Sequence, residues 1–380
     1  MNFIKKKAIE VFKKADIKID GTRDWDIQVH NEKFYSKLLF HGSIALGEAY
    51  VDGWWDCKDI EQFVYRLLRA NLINFKTGGL NNLGIPFARK LSLSGPIFRN
   101  LQTKKKTRED VGFHYNLGND LFVAMLGEKT MGYSCAYWKK AKNLDQAQTD
   151  KYELACRKLK LKPGMKVLEI GCGWGNFAKY MAVNYKVKVT AIALAKEQIQ
   201  YAKENNSHKN ITFELKDYRD LSGQFDRIVS FEMIEHVGPK NHKTFMKKAN
   251  SCLNDDGFML IQAISISETV LKNEPWIDKY LFPGSVPLSA KQFCDASEGL
   301  FYVLDWHDFT KDYSKTIKCW LENFDKAWPQ LQPKYGDRFY RYWKWYLTCC
   351  PATALAMTHH LWQVVFGKVG SDQEYERVDL

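Results

Sequence analysis

No stretch of the 380 residues approaches the roughly 18 consecutive apolar positions that a membrane-crossing helix needs, so nothing here is expected to span a bilayer. Met1-Asn2-Phe3-Ile4-Lys5-Lys6-Lys7 supplies basic residues with no apolar core behind them, which argues against a secretory signal. The nine cysteines contain no CxxC pair, and their number is odd. Neither a disulfide framework nor a structural metal site is expected, and a reducing cytoplasm fits best. No repeat of 20–50 residues is evident, which sets solenoids aside. Acidic residues are absent from one whole segment, Lys76 to Arg108, which carries Lys76, Arg89, Lys90, Arg99, Lys104, Lys105, Lys106 and Arg108.

What is present narrows the field. Hydrophobic residues at 45% and charged residues at 26% exclude disorder as the main theme, and the length suits two domains. Lys plus Arg number 56 against 44 Asp plus Glu, a net charge of +12 that predicts attraction to an anionic partner, nucleic acid or a phospholipid surface. Aromatic content of 14%, with 12 Trp, fits a large apolar cavity or an interfacial surface better than a lean RNA binder.

Residues 1–75 read as a small domain. Phe3, Ile4, Ala8, Ile9, Val11 and Phe12 recur at helical spacing, opposite a face of lysines. Ile27 to Leu46 suggests short strands. The basic segment 76–108, with Gly78-Gly79, Pro86 and Pro96, reads as a linker. Its interleaved aliphatic residues allow either a solvated hinge or a membrane-surface contact. Residues 109–380 then alternate short apolar runs (Lys166–Ile170, Val187–Ile192, Ile211–Leu215, Arg227–Phe231, Phe258–Ile264) with helical patterns, and Phe301–Trp306 and Leu361–Phe366 follow as further strands. The fold class expected is α/β: a doubly wound, Rossmann-like sheet of seven strands with a smaller N-terminal domain.

The first of these strands runs into Gly171-Cys172-Gly173-Trp174-Gly175-Asn176. A dinucleotide fingerprint would need glycine at position 176, where Asn176 stands. GxGxG with Glu169 two positions upstream is instead the form used by S-adenosylmethionine (SAM) methyltransferases, in which Glu169 can meet the ligand's ammonium end. The second strand ends without the carboxylate that often holds ribose hydroxyls; Gln198, one turn into the next helix, is the nearest group able to make those hydrogen bonds.

Several further segments carry a resemblance over nearly the whole chain: Gly47–Trp55, His114–Phe122, Tyr133–Trp138, Asp217–Asp220, Glu235–Pro239 and Leu361–Phe366. With the glycine loop, they make the sequence similar to the cyclopropane-fatty-acyl-phospholipid synthases. The resemblance implies transfer of a methylene from SAM across the cis double bond of an unsaturated phospholipid acyl chain. It further implies that Tyr133, Ser134, Gly171, Gly173, Leu194, Gln198, Asp217 and Tyr218 hold SAM, and that Cys135, Glu235 and Tyr313 hold a bicarbonate ion acting as general base. A homodimer, peripheral association with the cytoplasmic face of the inner membrane, and lipid engagement by the N-terminal domain come with it; a nucleic-acid partner does not. Two positions depart from the bacterial pattern: Gln262 replaces a histidine that helps bind bicarbonate, and Glu232 replaces a small residue, adding a carboxylate. Both bear on the last deprotonation, because a relative giving a methyl-branched or exo-methylene product would use the same SAM and lipid sites. Cys349-Cys350 reads as structural, since the chemistry needs no covalent enzyme intermediate.

Overall fold

A computed structural model describes residues 3–72, 100, 102–115 and 117–380. Its centre is a seven-stranded sheet: β3 (Lys166–Ile170), β4 (Lys188–Ala193), β5 (Ile211–Leu215), β6 (Phe225–Phe231), β7 (Leu253–Ile266), β8 (Phe301–Asp308) and β9 (His359–Lys368). The order across the sheet is β5-β4-β3-β6-β7-β9-β8, parallel from β5 to β7, with β9 antiparallel to both its neighbours. All seven expected strands are there.

Period-two alternation explains the two packed faces. Leu168, Ile228, Met259 and Ile261 point to one side, against Phe245, Met246 and Ala249 of α10 (His242–Cys252) and Phe293 of α12 (Ala290–Ser297). Val167, Val189, Val229 and Leu260 point to the other, against α7 (Leu144–Lys158), α8 (Asn176–Asn184) and α9 (Lys196–Asn205). With both faces covered, the strands read as nearly continuous apolar runs, which is why they were visible in the sequence.

The N-terminal segment corrects one expectation. Ile27 to Leu46 forms no set of short strands; its only strand is β1 (Gln28–Val29), paired with β2 (Trp55–Asp56). The remainder is helical: α2 (Lys33–His41) and α3 (Ser43–Val51), flanked by α1 (Phe3–Lys14) and α4 (Ile60–Arg69). Phe34 and Leu38 are buried one helical turn apart, as are Leu46 and Tyr50, so a helical period lay beneath the apolar density. Helix α1 packs its Ala8, Val11 and Phe12 inward, as its spacing predicts.

This unit shares a core with the rest of the chain. Phe12, Phe34, Trp55 and Phe63 cluster with Trp343 and Trp345 of α14 (Asp337–Leu355), which pairs with the long α13 (Thr310–Tyr335). Gly47 permits the close approach: a Cβ there would stand 2.6 Å from both Trp276 and Trp345. Arg341 clamps the junction. Its Nε donates to Tyr50 O at 2.6 Å and its Nη2 to Trp55 O at 3.0 Å, while the guanidinium lies 4.1 Å from the centre of the Tyr50 ring. Arg341→Ala should destabilise the protein by about 1.5–3 kcal/mol, read as a lower urea midpoint. Arg341→Lys should recover little, because one ammonium cannot make the fork.

Of the expected basic linker, residues 76–99 and 101 lie outside the described residues. Its far end, Lys104 to Arg108, opens helix α5 (Lys104–Tyr115), whose Thr107, Val111 and Tyr115 face the site described next.

Candidate active site

The first cavity opens at the carboxyl ends of β3, β4 and β6, where strand order reverses on either side of β3, the usual ligand position in such sheets. Its approximately 1110 Å³ of empty space includes its mouth. At Gly173 the backbone has φ +52°, and no other atom lies within 4 Å of where a Cβ would be, so a ligand can come close to the main chain.

Eight of the nine expected SAM residues line this cavity: Tyr133, Ser134, Glu169, Gly171, Gly173, Leu194, Gln198 and Tyr218. Asp217 does not. It is fully buried, and its carboxylate is gripped by Arg219, Nε at 2.8 Å and Nη2 at 2.7 Å, which holds its pKa below the ordinary value despite burial. Asp217 therefore fixes Tyr218 and Arg219, which do face the cavity.

Glu169 carries the clearest invitation to a ligand. It is 4% exposed, its Oε2 has no hydrogen-bond partner, and burial pushes its pKa up to about 8. An unmet buried acceptor is costly, and a ligand ammonium would satisfy it. This fits SAM. Nearby, buried Lys151 donates to Ser134 Oγ at 2.7 Å, its pKa lowered to about 8 by desolvation. Sequence reasoning passed over Lys151; its signal was a lysine on the inward face of an amphipathic helix.

A second cavity adjoins the first. About 1310 Å³ including its mouth, it is walled mainly by aromatic and aliphatic groups: Trp276, Phe282, Trp320, Trp345 and Tyr346 from the catalytic part, and Leu46, Val64 and Leu68 from α3 and α4. Tyr115, Tyr133, Glu232 and His236 line both cavities, so the two meet there. The Tyr133 hydroxyl lies 3.0 Å from His114 Nε2 and 2.9 Å from Tyr346 Oη. Burial holds His114 at a pKa of about 3, hence neutral.

Cys135, Glu235, Gln262 and Tyr313 do come together at this junction, but around Glu232. The Cys135 N–H and Gln262 Nε2 each donate to Glu232 Oε1 at 2.8 Å, and the Tyr313 hydroxyl reaches Oε2 at 3.5 Å. Gln262 is held in turn by Gln363, whose Nε2 donates to its Oε1 at 3.0 Å. Cys135 and Gln262 are fully buried behind Glu232 and line neither cavity; Glu235 and Tyr313 line the second. Glu235 accepts from the Ile264 N–H through Oε1, while its Oε2 is buried without a partner. Burial first, and the Glu232 charge next, raise its pKa to about 8. Gln363 was missed as a site residue; a glutamine within the apolar run of β9 was its signal. Among the described residues no cluster of His, Cys, Asp or Glu could hold a metal ion.

A family model for mycolic acid cyclopropane synthetase matches residues 102–364. The cyclopropane-fatty-acyl-phospholipid synthase of Escherichia coli (strain K12) is 44% identical over 361 residues, covering 95% of this chain and 92% of that protein. Among solved structures, the cyclopropane synthase MmaA2 of Mycobacterium tuberculosis superimposes with a TM-score of 0.65 at 26% identity, over 70% of this chain and 99% of its own. The mycolic acid cyclopropane synthase CmaA1, complexed with SAH and CTAB, does so with a TM-score of 0.64 at 27% identity, over 68% and 97%. Sheet topology, glycine loop and these likenesses agree: the chain belongs to the cyclopropane synthase family of SAM-dependent enzymes.

Proposed function

We propose that the chain transfers a methylene group from SAM to the cis double bond of an unsaturated acyl chain within a phospholipid, forming a cyclopropane. The observation that carries this reading is the junction of a glycine-loop cavity with a largely apolar, aromatic-walled chamber at Tyr115, Tyr133, Glu232 and His236. A sulfonium methyl in the first can thus be presented to an alkene in the second.

An alkene is a weak nucleophile, so alignment at near-attack distance provides much of the rate. In this reading Glu169 takes the ammonium of SAM, and the glycine-loop backbone and Gln198 fix the rest. Attack leaves a carbocation on the acyl chain. Walls such as Trp320, Tyr346 and Phe282 exclude the water that would quench it, and their π faces favour a cation. Loss of one proton from the transferred methyl closes the ring. Bicarbonate, expected from the resemblance as the proton acceptor, fits poorly: the Cys135 N–H and the Tyr313 hydroxyl already point at Glu232.

The N-terminal unit, residues 1–75, supplies Leu46, Val64 and Leu68 to the chamber wall, which supports its role in lipid engagement. Peripheral docking at the inner membrane surface agrees with the net charge of +12 and with Phe3, 72% exposed on a lysine-bearing helix. Among the described residues no helix is long and apolar enough to cross a membrane. Homodimerisation belongs to the same proposal.

Incubation with SAM and mono-unsaturated phospholipid vesicles should give high-field cyclopropane proton signals in the extracted lipid. A methyl branch or exo-methylene in their place would move the chain to a neighbouring reaction on the same olefin. RNA binding without affinity for anionic vesicles would count against the lipid reading altogether.

A further inference from the structure

We propose that Glu232 is the base of this reaction, a carboxylate built into the chain at the point where the resemblance would put a bicarbonate ion. The inference rests on the methylene-transfer reading above.

Three donors from separate parts of the fold converge on this one side chain. The Cys135 N–H comes from the loop before α7, the Gln262 amide from β7, and the Tyr313 hydroxyl from α13. This is how an anion site is made, and a glutamate fills it. Gln262 suits the arrangement better than a titrating ring would. Its oxygen is engaged by Gln363, so the Nε2 must face outward, where it donates to Glu232 Oε1 and, at 3.2 Å, to Cys135 O.

The backbone gives independent support. Glu232 has φ +47°, in the left-handed region that glycine favours, and its N–H is pinned to Gln262 O at 2.7 Å. A strained glutamate at the end of a central strand needs a reason, and aiming a carboxylate into the junction of two cavities is one. Burial raises its pKa, so it is a stronger base than a solvated carboxylate, while its donors offset part of that rise.

The step balances. The alkene π pair forms the new bond to the SAM methyl carbon as the carbon–sulfur bond breaks, and the thioether leaves neutral. The carboxylate of Glu232 takes one proton from the transferred methyl, and the released C–H pair forms the second carbon–carbon bond, closing the ring. Glu232, now a carboxylic acid, returns its proton to solvent when product leaves.

The test uses the full chain, SAM and mono-unsaturated phospholipid vesicles, in carbon-dioxide-free buffer with and without added bicarbonate. The unaltered protein should turn over at rates equal within about twofold in both. Glu232→Gln should lower turnover by about 10²–10⁴-fold while SAM affinity is retained. Glu232→Gly, which suits the local φ and vacates the anion site, should be equally slow without bicarbonate and recover about tenfold or more when bicarbonate or formate is added. Two results overturn the proposal: unaltered protein that needs bicarbonate, or Glu232→Gln at near-normal turnover. If the unaltered protein moves no carbon from SAM to lipid under any condition, the underlying reading fails and takes the base with it. That outcome is distinct from bicarbonate-dependent turnover, which removes only the base.

Discussion

Tryptophan in place of Cys350 is expected to reduce lipid turnover by about 10²-fold or more, while SAM affinity stays within about twofold, because displacing a substrate by an ångström can cost that much. Cys350 sits on α14 and lines the apolar chamber, and it takes no part in the glycine-loop cavity. An indole there occupies the space the acyl chain needs. The Cys350 side chain borders the chamber's empty space, so the overpacking cost should fall toward the low end of about 1–3 kcal/mol. Cys350→Ser is the control. Burial pushes the thiol up to about pKa 12, so no thiolate is available at neutral pH and activity should change by no more than about threefold. Titration calorimetry with SAM, beside initial rates on vesicles, separates the two cavities. Loss of SAM binding in the tryptophan variant would show that they are not independent.

Valine in place of Gly173 should give the opposite pattern. Apart from the adjoining residues, nothing lies within 4 Å of the new Cβ, which therefore points into open space; the main cost to folding is the left-handed φ of +52°, about 1–2 kcal/mol. The branched side chain would stand where SAM must approach the main chain. An affinity loss of about ten- to a hundredfold, or roughly 1.4–2.8 kcal/mol, should follow, with a modest drop in melting temperature. Calorimetry and a thermal melt read both. Unchanged SAM affinity in a folded variant would move the ligand away from this loop.

The catalytic sheet could be read from the sequence because β3, β4, β6 and β7 are buried on both faces, and their apolar runs have strand length. The glycine loop was equally legible, since GxGxG between a strand and a helix has few other uses. The N-terminal unit was misread for a related reason. Helix α2 packs between α1 and α3, while α3 and α4 also pack on α14, far along the chain, so Ile27–Leu46 is denser in apolar residues than a solvent-facing helix and loses the contrast that marks a period. Partnerships across the sheet were hidden. That Gln363 would orient Gln262 through the β7–β9 register depends on a pairing the sequence does not print. Glu232 shows the difference best. The sequence showed an extra carboxylate near the site, but the three donors that meet on it are brought there by the fold.

In the proposed reaction a methyl carbon leaves SAM, enters the acyl chamber and loses a proton as a ring closes. SAM carrying a fully deuterated methyl group, incubated with mono-unsaturated phospholipid vesicles, tests every part of it in one mass spectrum with its proton NMR. The expected product is a lipid that has gained one carbon, kept two of the three deuteriums and lost its olefinic signals, with no terminal methyl branch. A lipid retaining all three deuteriums, or an unchanged olefin beside consumed SAM, would contradict it.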